Sequence, residues 1–181
     1  MLLFVGRLHP VKRPIETVEA FCRAAPTQAH LFLAGMADGV ATEDLMRAVP
    51  GNRQANIHIA GGLAQADLSA AYQAADGFLS LSFQENFGYA AAEAIAHGLP
   101  VILSPGHDLA YDLPKTAEGR LACGWLLPDD SAAAAEAAIA EWAALIRGAG
   151  DPLAAIGAAG RCWAEETLSR QQFRAELNRL I

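Results

Sequence analysis

Short apolar runs alternate with longer amphipathic stretches along almost the whole chain. The runs are Leu2-Leu3-Phe4-Val5, His30 to Ala34, Asn56 to Ala60, Gly77 to Leu81, Leu99 to Leu103 and Cys123 to Leu127. None alternates with period two, and Gly, Pro and polar residues bound them, so they read as strands buried on both faces. Between them the spacing is helical. Pro14 suits a first turn, and Ile15, Val18, Ala20, Phe21 and Ala24 follow on one face. Further helices are expected over residues 41–49, 67–72, 87–97 and 131–147. Pro50-Gly51-Asn52, Gly98 with Pro100, and Gly148-Ala149-Gly150 break the pattern. Ser131 is a suitable N-cap, and Asp151-Pro152 opens a helix carrying Leu153, Ile156 and Trp163. Ser169 can cap a last helix with Phe173, Leu177 and Leu180 on one face. The polar stretch from Asp112 to Ala122 fits no element. Strand and helix in regular alternation predict an α/β fold: a Rossmann-like, doubly wound parallel sheet of about six strands with helices on both faces.

Composition narrows the class. The chain has 181 residues, 53% of them apolar and 18% charged, which predicts one globular domain over residues 1–181. A net charge of −7 without a basic stripe argues against nucleic acid as a partner. No apolar run is long enough to span a membrane. Cys22, Cys123 and Cys162 are far apart and fit no zinc spacing. They are expected to be small core residues of a chain kept in the reducing cytoplasm. No Asp-rich metal motif is present, and no metal is expected.

Chemistry concentrates in one unit, Ser80 to Val101. A strand ends, a polar turn follows from Ser82 to Asn86, and a helix is expected from about Phe87. Glu85 stands in the turn, and Glu93 interrupts a helix otherwise built of alanines. On that reading Glu93 lies roughly 9 Å along the axis at about 1.5 Å per residue. The helix N-terminus between the two carboxylates offers free N–H groups and a positive dipole end, suited to a phosphate. Gly88 admits a ligand close to the backbone. The arrangement suits an elongated ligand with hydroxyls at both ends and an anion in the middle, the shape of a nucleotide-diphosphate sugar. A second strand–loop–helix carries Gly6-Arg7-Leu8 and Lys12. It is neither a dinucleotide fingerprint nor a P-loop. The ends of four strands, at Gly6-Arg7, Gly35, Gly61-Gly62 and Ser82–Gly88, should converge on one edge of the sheet, where such folds bind ligands.

Glu85-Asn86-Phe87-Gly88, four residues, Glu93, then Ala96-His97-Gly98-Leu99-Pro100-Val101 resembles the signature of retaining nucleotide-sugar glycosyltransferases of the GT-B fold, the group 1 or family 4-like enzymes. Gly6-Arg7-Leu8 with Lys12 resembles their diphosphate-binding loop, although Arg13 stands where the family usually has Gly. The resemblance spans nearly the whole chain and is strongest over residues 2–14 and 76–103. It implies the donor-binding half of a GT-B fold, with an N-terminal acceptor domain missing from this sequence. Glu85 would face the donor sugar as the catalytic residue, orienting it. Glu93 would hold the ribose hydroxyls. Asn86, Phe87 and Gly88 would contact sugar and diphosphate through their amides, and Arg7 and Lys12 would neutralise the diphosphate. Gly61, Gly62 and Leu63 are base-contact candidates, and Met36-Ala37-Asp38-Gly39 matches an acidic glycine turn near the nucleotide. The implied chemistry is hexosyl transfer with retention from a UDP- or GDP-linked donor, without a cofactor. The location would be cytoplasmic, membrane-peripheral only through the absent domain, and the isolated chain would not turn over. A sugar-nucleotide epimerase and a non-catalytic nucleotide-binding or assembly module share the fold and stay open.

Overall fold

The computed structural model describes residues 1–146 and 151–168. Six strands form one all-parallel sheet: β1 (Leu2–Val5), β2 (Leu31–Ala34), β3 (Ile57–Ile59), β4 (Gly77–Ser80), β5 (Val101–Leu103) and β6 (Gly124–Leu126). Their order is β3-β2-β1-β4-β5-β6. The chain winds outward from β1 to one edge, then returns to β4 on the other side of β1. Register opens the reversal point. β1 pairs with β2 over all of Leu2–Val5, but with β4 only at Leu2↔Gly77 and Leu3↔Phe78. The two central strands therefore part toward their carboxyl ends, which leaves a crevice between the loops that follow them.

Helices close both faces. α1 (Pro14–Ala24), α2 (Thr42–Ala48) and α6 (Ala132–Ile146) pack Val18, Phe21, Leu45, Ile139 and Trp142 against Leu2, Phe4, Leu31 and Leu79. α3 (Gln65–Ala74), α4 (Tyr89–Ala96) and the short α5 (Leu109–Asp112) cover Leu3, Phe78, Val101 and Leu103 on the other face. α7 (Pro152–Thr167) reaches both, Leu153 in the first cluster and Ala164 in the second. Alanines line α4 and α6 where they lie on the sheet, so the helices sit close to it. The expected caps are in place: Ala134 N–H donates to Ser131 Oγ at 3.2 Å and Ala154 N–H to Asp151 Oδ1 at 3.0 Å.

Several expectations shift. Asn56 belongs to a 3-10 turn, Gly51–Asn56, because its buried amide donates to the carbonyls of Thr27 and Ala29. His58 lies in β3 opposite Phe32 but is exposed, because β3 is an edge strand, and it stands 3.0 Å from the His30 ring. α3 runs a turn longer than expected, and α4 starts later, at Tyr89. The stretch after Asp112 folds back on itself through a bridge between Lys115 and Leu121. Of the cysteines, Cys123 is buried, Cys22 half-buried and Cys162 exposed on α7, so only Cys123 is the core residue expected. Arg147, the Gly148–Gly150 break and the helix expected from Ser169 lie outside the described residues.

Candidate active site

The loops after β1, β2, β3, β4 and β5 are stitched to one another at the carboxyl edge. Gly6 N–H donates to Ala34 O, Leu8 N–H to Met36 O, and Gly35 N–H to Gly61 O at 2.7 Å. Phe83 N–H donates to Val11 O and Glu85 N–H to Gly106 O, both at 2.8 Å. Glycine is required at two of these crossings. A Cβ on Gly35 would strike the Gly6 carbonyl, and one on Gly106 would strike the carbonyls of Ser82 and Phe83.

The crevice between β1 and β4 holds an ion pair, Lys12 with Glu85, each side chain about a fifth exposed. Lys12 comes from a 3-10 turn, Pro10–Lys12, in the loop after β1; Glu85 comes from the loop after β4. Burial first, and the Arg7 charge second, lower the pKa of the Lys12 ammonium below the usual amine value; Glu85 is its counter-ion. Arg7 is well exposed and pairs with Asp38 of the acidic glycine turn. The expected Lys–Gly turn is built with Arg13 in the left-handed region, φ 51° and ψ 49°. Among the described residues it is the one non-glycine at positive φ. Its guanidinium is tied to Asp130 Oδ1 at 3.3 Å, Asp130 O at 3.1 Å and Glu16 at 3.5 Å.

α4 does not begin at Phe87. Gly88 is its N-cap in the left-handed conformation, φ 77°, and no side chain caps the helix. Glu85 pairs with His107 of the β5 loop as an isolated bridge, and Asn86 and Phe87 form a bend between that bridge and Gly88, so the helix does not reach back to them. Glu93 is therefore four residues past the first, about 6 Å along the axis rather than 9 Å. The first amides of α4 have no capping side chain. Asn86 and Phe87 are exposed at its mouth. Gly61 has positive φ, and Gly62 lies under Met36, whose sulfur a Cβ would meet at 2.9 Å. Leu63 is half-buried beside them. So Arg7, Lys12, Glu85 and the α4 terminus meet around one crevice, while Gly61, Gly62 and Leu63 stand at its β3 end, two strands away.

Two residues with no assigned role bear on this site. Tyr72 of α3 is buried, and its hydroxyl donates to Glu93 Oε2 at 3.0 Å, with Ala90 O at 3.2 Å. Its ring stacks on His97, centroids 5.1 Å apart and planes 13° off parallel. Burial, and then the Glu93 charge, raise the Tyr72 pKa well above the usual phenol range, so it stays a donor. His107 is 1% exposed and sits among Ser80, Ser82 and Ser104, all buried. Its pKa falls to about 4, chiefly through burial; the Ser104 backbone pulls it up and the Lys12 charge pushes it down. The sequence signal was available: serines interrupt apolar runs at the carboxyl ends of β4 and β5.

The sequence model of the family described as "Glycosyl transferases group 1" matches residues 1–145. This chain belongs to the group 1 glycosyltransferase family. Its fold agrees. Sucrose-phosphate synthase from Thermosynechococcus elongatus superposes with a TM-score of 0.79 at 25% identity, over 99% of this chain and 44% of that one. HepE from Anabaena, solved with UDP and glucose, gives 0.76 at 20% identity, over 98% and 47%. WaaG, a glycosyltransferase of lipopolysaccharide biosynthesis, gives 0.67 at 24% identity, over 91% and 42%. No curated protein matches the sequence. The chain thus spans less than half the length of these solved structures, and its fold is half of GT-B. Among its described residues no helix could cross a membrane, and no three His, Cys, Asp or Glu side chains cluster as metal ligands.

Proposed function

We propose that this chain is the donor-binding domain of a retaining glycosyltransferase that uses a UDP- or GDP-linked hexose. The observation that carries the reading is the Lys12–Glu85 pair across the strand-reversal crevice, beside the uncapped N-terminus of α4. A diphosphate placed there meets Lys12, Arg7 and the first amides of α4. These are the charges a leaving nucleoside diphosphate needs, so no metal is required. Displacing Glu85 from Lys12 frees its carboxylate to accept hydroxyls of the sugar. Glu93, one turn down α4, accepts from the ribose, and Gly61, Gly62 and Leu63 border the base. The bond from C1 to the phosphate oxygen breaks and the acceptor oxygen bonds C1 on the same face. The acceptor proton leaves with the diphosphate. Glu85 orients the sugar throughout.

The acceptor face belongs to a second domain, so this chain by itself binds donor and transfers nothing. Calorimetric titration with UDP and GDP tests the reading. One of the two should bind, and a Lys12→Ala, Glu93→Ala variant should lose about tenfold or more in affinity, the scale of one or two charge-assisted hydrogen bonds. Equal binding by the variant removes the site from this crevice.

A further inference from the structure

We propose that His107 is a positioning residue that holds the Glu85 loop in place through one directed chain of hydrogen bonds. The direction follows from the partners. Ser104 Oγ lies 2.5 Å from Ser82 O, so the Ser104 hydroxyl hydrogen is committed there. His107 Nδ1 lies 3.2 Å from both Ser104 O and Ser104 Oγ. The carbonyl can only accept, and the hydroxyl hydrogen is used, so Nδ1 carries the proton. Nε2 is then the bare nitrogen, 3.0 Å from Ser80 Oγ, and Ser80 must donate to it. Ser82 Oγ, 3.2 Å from Ser80 Oγ, donates in turn to Ser80. The chain reads Ser82 to Ser80 to His107 to the Ser104 carbonyl, with Ser104 returning to the Ser82 carbonyl. Each hydroxyl and imidazole N–H finds an acceptor, and each is buried where water cannot substitute.

This ring ties the carboxyl ends of β4 and β5 to each other under the residue that faces the sugar. Glu85 hangs from it by two main-chain bonds: its N–H donates to Gly106 O at 2.8 Å, and its carbonyl accepts from Asp108 N–H at 3.2 Å. Gly106 and Asp108 flank His107. On its other side the His107 ring faces Gly88, the α4 cap, where an added Cβ would meet Cδ2 at 3.5 Å. His107 therefore holds the Glu85 end of Glu85-Asn86-Phe87-Gly88 without touching the donor. Lys12 arrives on a different loop, so the sugar half of the site depends on His107 and the diphosphate half depends on it less.

The inference rests on the proposed donor site, and two measurements separate the failures. Amide exchange on the 181-residue chain is read for wild type and His107→Leu. The Glu85 and Asp108 amides should exchange about tenfold faster or more in the variant, with the Gly6 and Ala60 amides of the β1–β3 side near wild type. An equal rise at all four means a general loss of stability and overturns the proposal. Nitrogen shifts of the His107 ring should report the Nδ1–H tautomer; the Nε2–H tautomer overturns the chain's direction. If His107→Leu does not fold, Ser80→Ala removes the hydroxyl that Nε2 accepts and is read the same way. Titration with UDP, UDP-glucose, GDP and GDP-mannose supplies the second arm. His107→Leu should lose about fivefold or more for the hexose nucleotide that wild type binds, and under about twofold for its nucleoside diphosphate. Equal losses overturn the proposal. Wild type that binds none of the four defeats the donor-site reading, and the exchange arm then decides alone whether His107 holds Glu85.

Discussion

Tyr72 presents a clean question at the scale of a single residue. Its hydroxyl occupies one oxygen of Glu93, so in the proposed site the other oxygen would meet the ligand in a defined direction. A carboxylate on an exposed helix face would otherwise sample several rotamers, and binding would have to order it. Tyr72→Phe keeps the ring, its burial and its stack on His97, and removes only the donor. Affinity for the nucleotide that binds should fall about threefold to tenfold, close to 1 kcal/mol for one hydrogen bond to a charged group. The same substitution should be nearly silent when the ligand is the 2′,3′-dideoxy nucleotide, because the hydroxyls that we propose Glu93 accepts from are gone. A loss that persists with the dideoxy ligand places the effect elsewhere than on the ribose.

Elements carry a second question, at the junction of the β1 loop and α1. Arg13 occupies a left-handed conformation that costs a non-glycine residue about 1–2 kcal/mol. The ties to Asp130 and Glu16 hold it there, and partly exposed ion pairs return only a fraction of that. Arg13→Ala keeps the strained backbone and loses the ties; Arg13→Gly loses the ties and relieves the strain. In urea unfolding the Gly variant should exceed the Ala variant by about 1 kcal/mol, net of the entropy a glycine adds to the unfolded chain. An Ala variant as stable as the Gly variant would mean the turn carries no strain.

The same junction shows what a sequence makes readable. Strand cores were legible because a parallel strand buried on both faces must be a short unbroken apolar run, and Leu2–Val5, Leu31–Ala34 and Gly77–Ser80 are such runs. Glu93 stood out because a carboxylate amid alanines has no packing reason to be there, and Glu85 because it opens the Glu85-Asn86-Phe87-Gly88 run just ahead of that helix. The start of α4 was misplaced because Phe87 has helical neighbours in sequence, and only the pairing of Glu85 with the β5 loop pulls that stretch out of the helix. His107 and Tyr72 were opaque for another reason. A lone His in a loop and a Tyr on a helix gain meaning only from partners 27 and 21 residues away, Ser80 and Glu93. The exposure of His58 was equally illegible, because nothing local tells an edge strand from a central one.

Among the described residues the proposed site stands open to water. The crevice opens at the free carboxyl edge of the sheet, and three aromatic side chains stand around its mouth: Phe83 65%, Phe87 38% and Tyr89 77% exposed. Adjacent exposed aromatics of this kind mark a surface that is covered when the protein works. Glycosyl transfer needs such a cover, because water competes with the acceptor for C1 and weakens each charge that stabilises the leaving diphosphate. The solved structures of this fold are more than twice as long as this chain. We therefore expect the pure chain, given UDP-glucose or GDP-mannose with a panel of hydroxyl acceptors, to bind donor without releasing glycoside. Joined to an acceptor domain, the same residues should support turnover that Glu85→Gln abolishes and that Phe83→Ser with Tyr89→Ser weakens by impairing closure. Glycoside formed by the pure chain would show that this half alone excludes water well enough. The search for the acceptor site would then move to the aromatic rim.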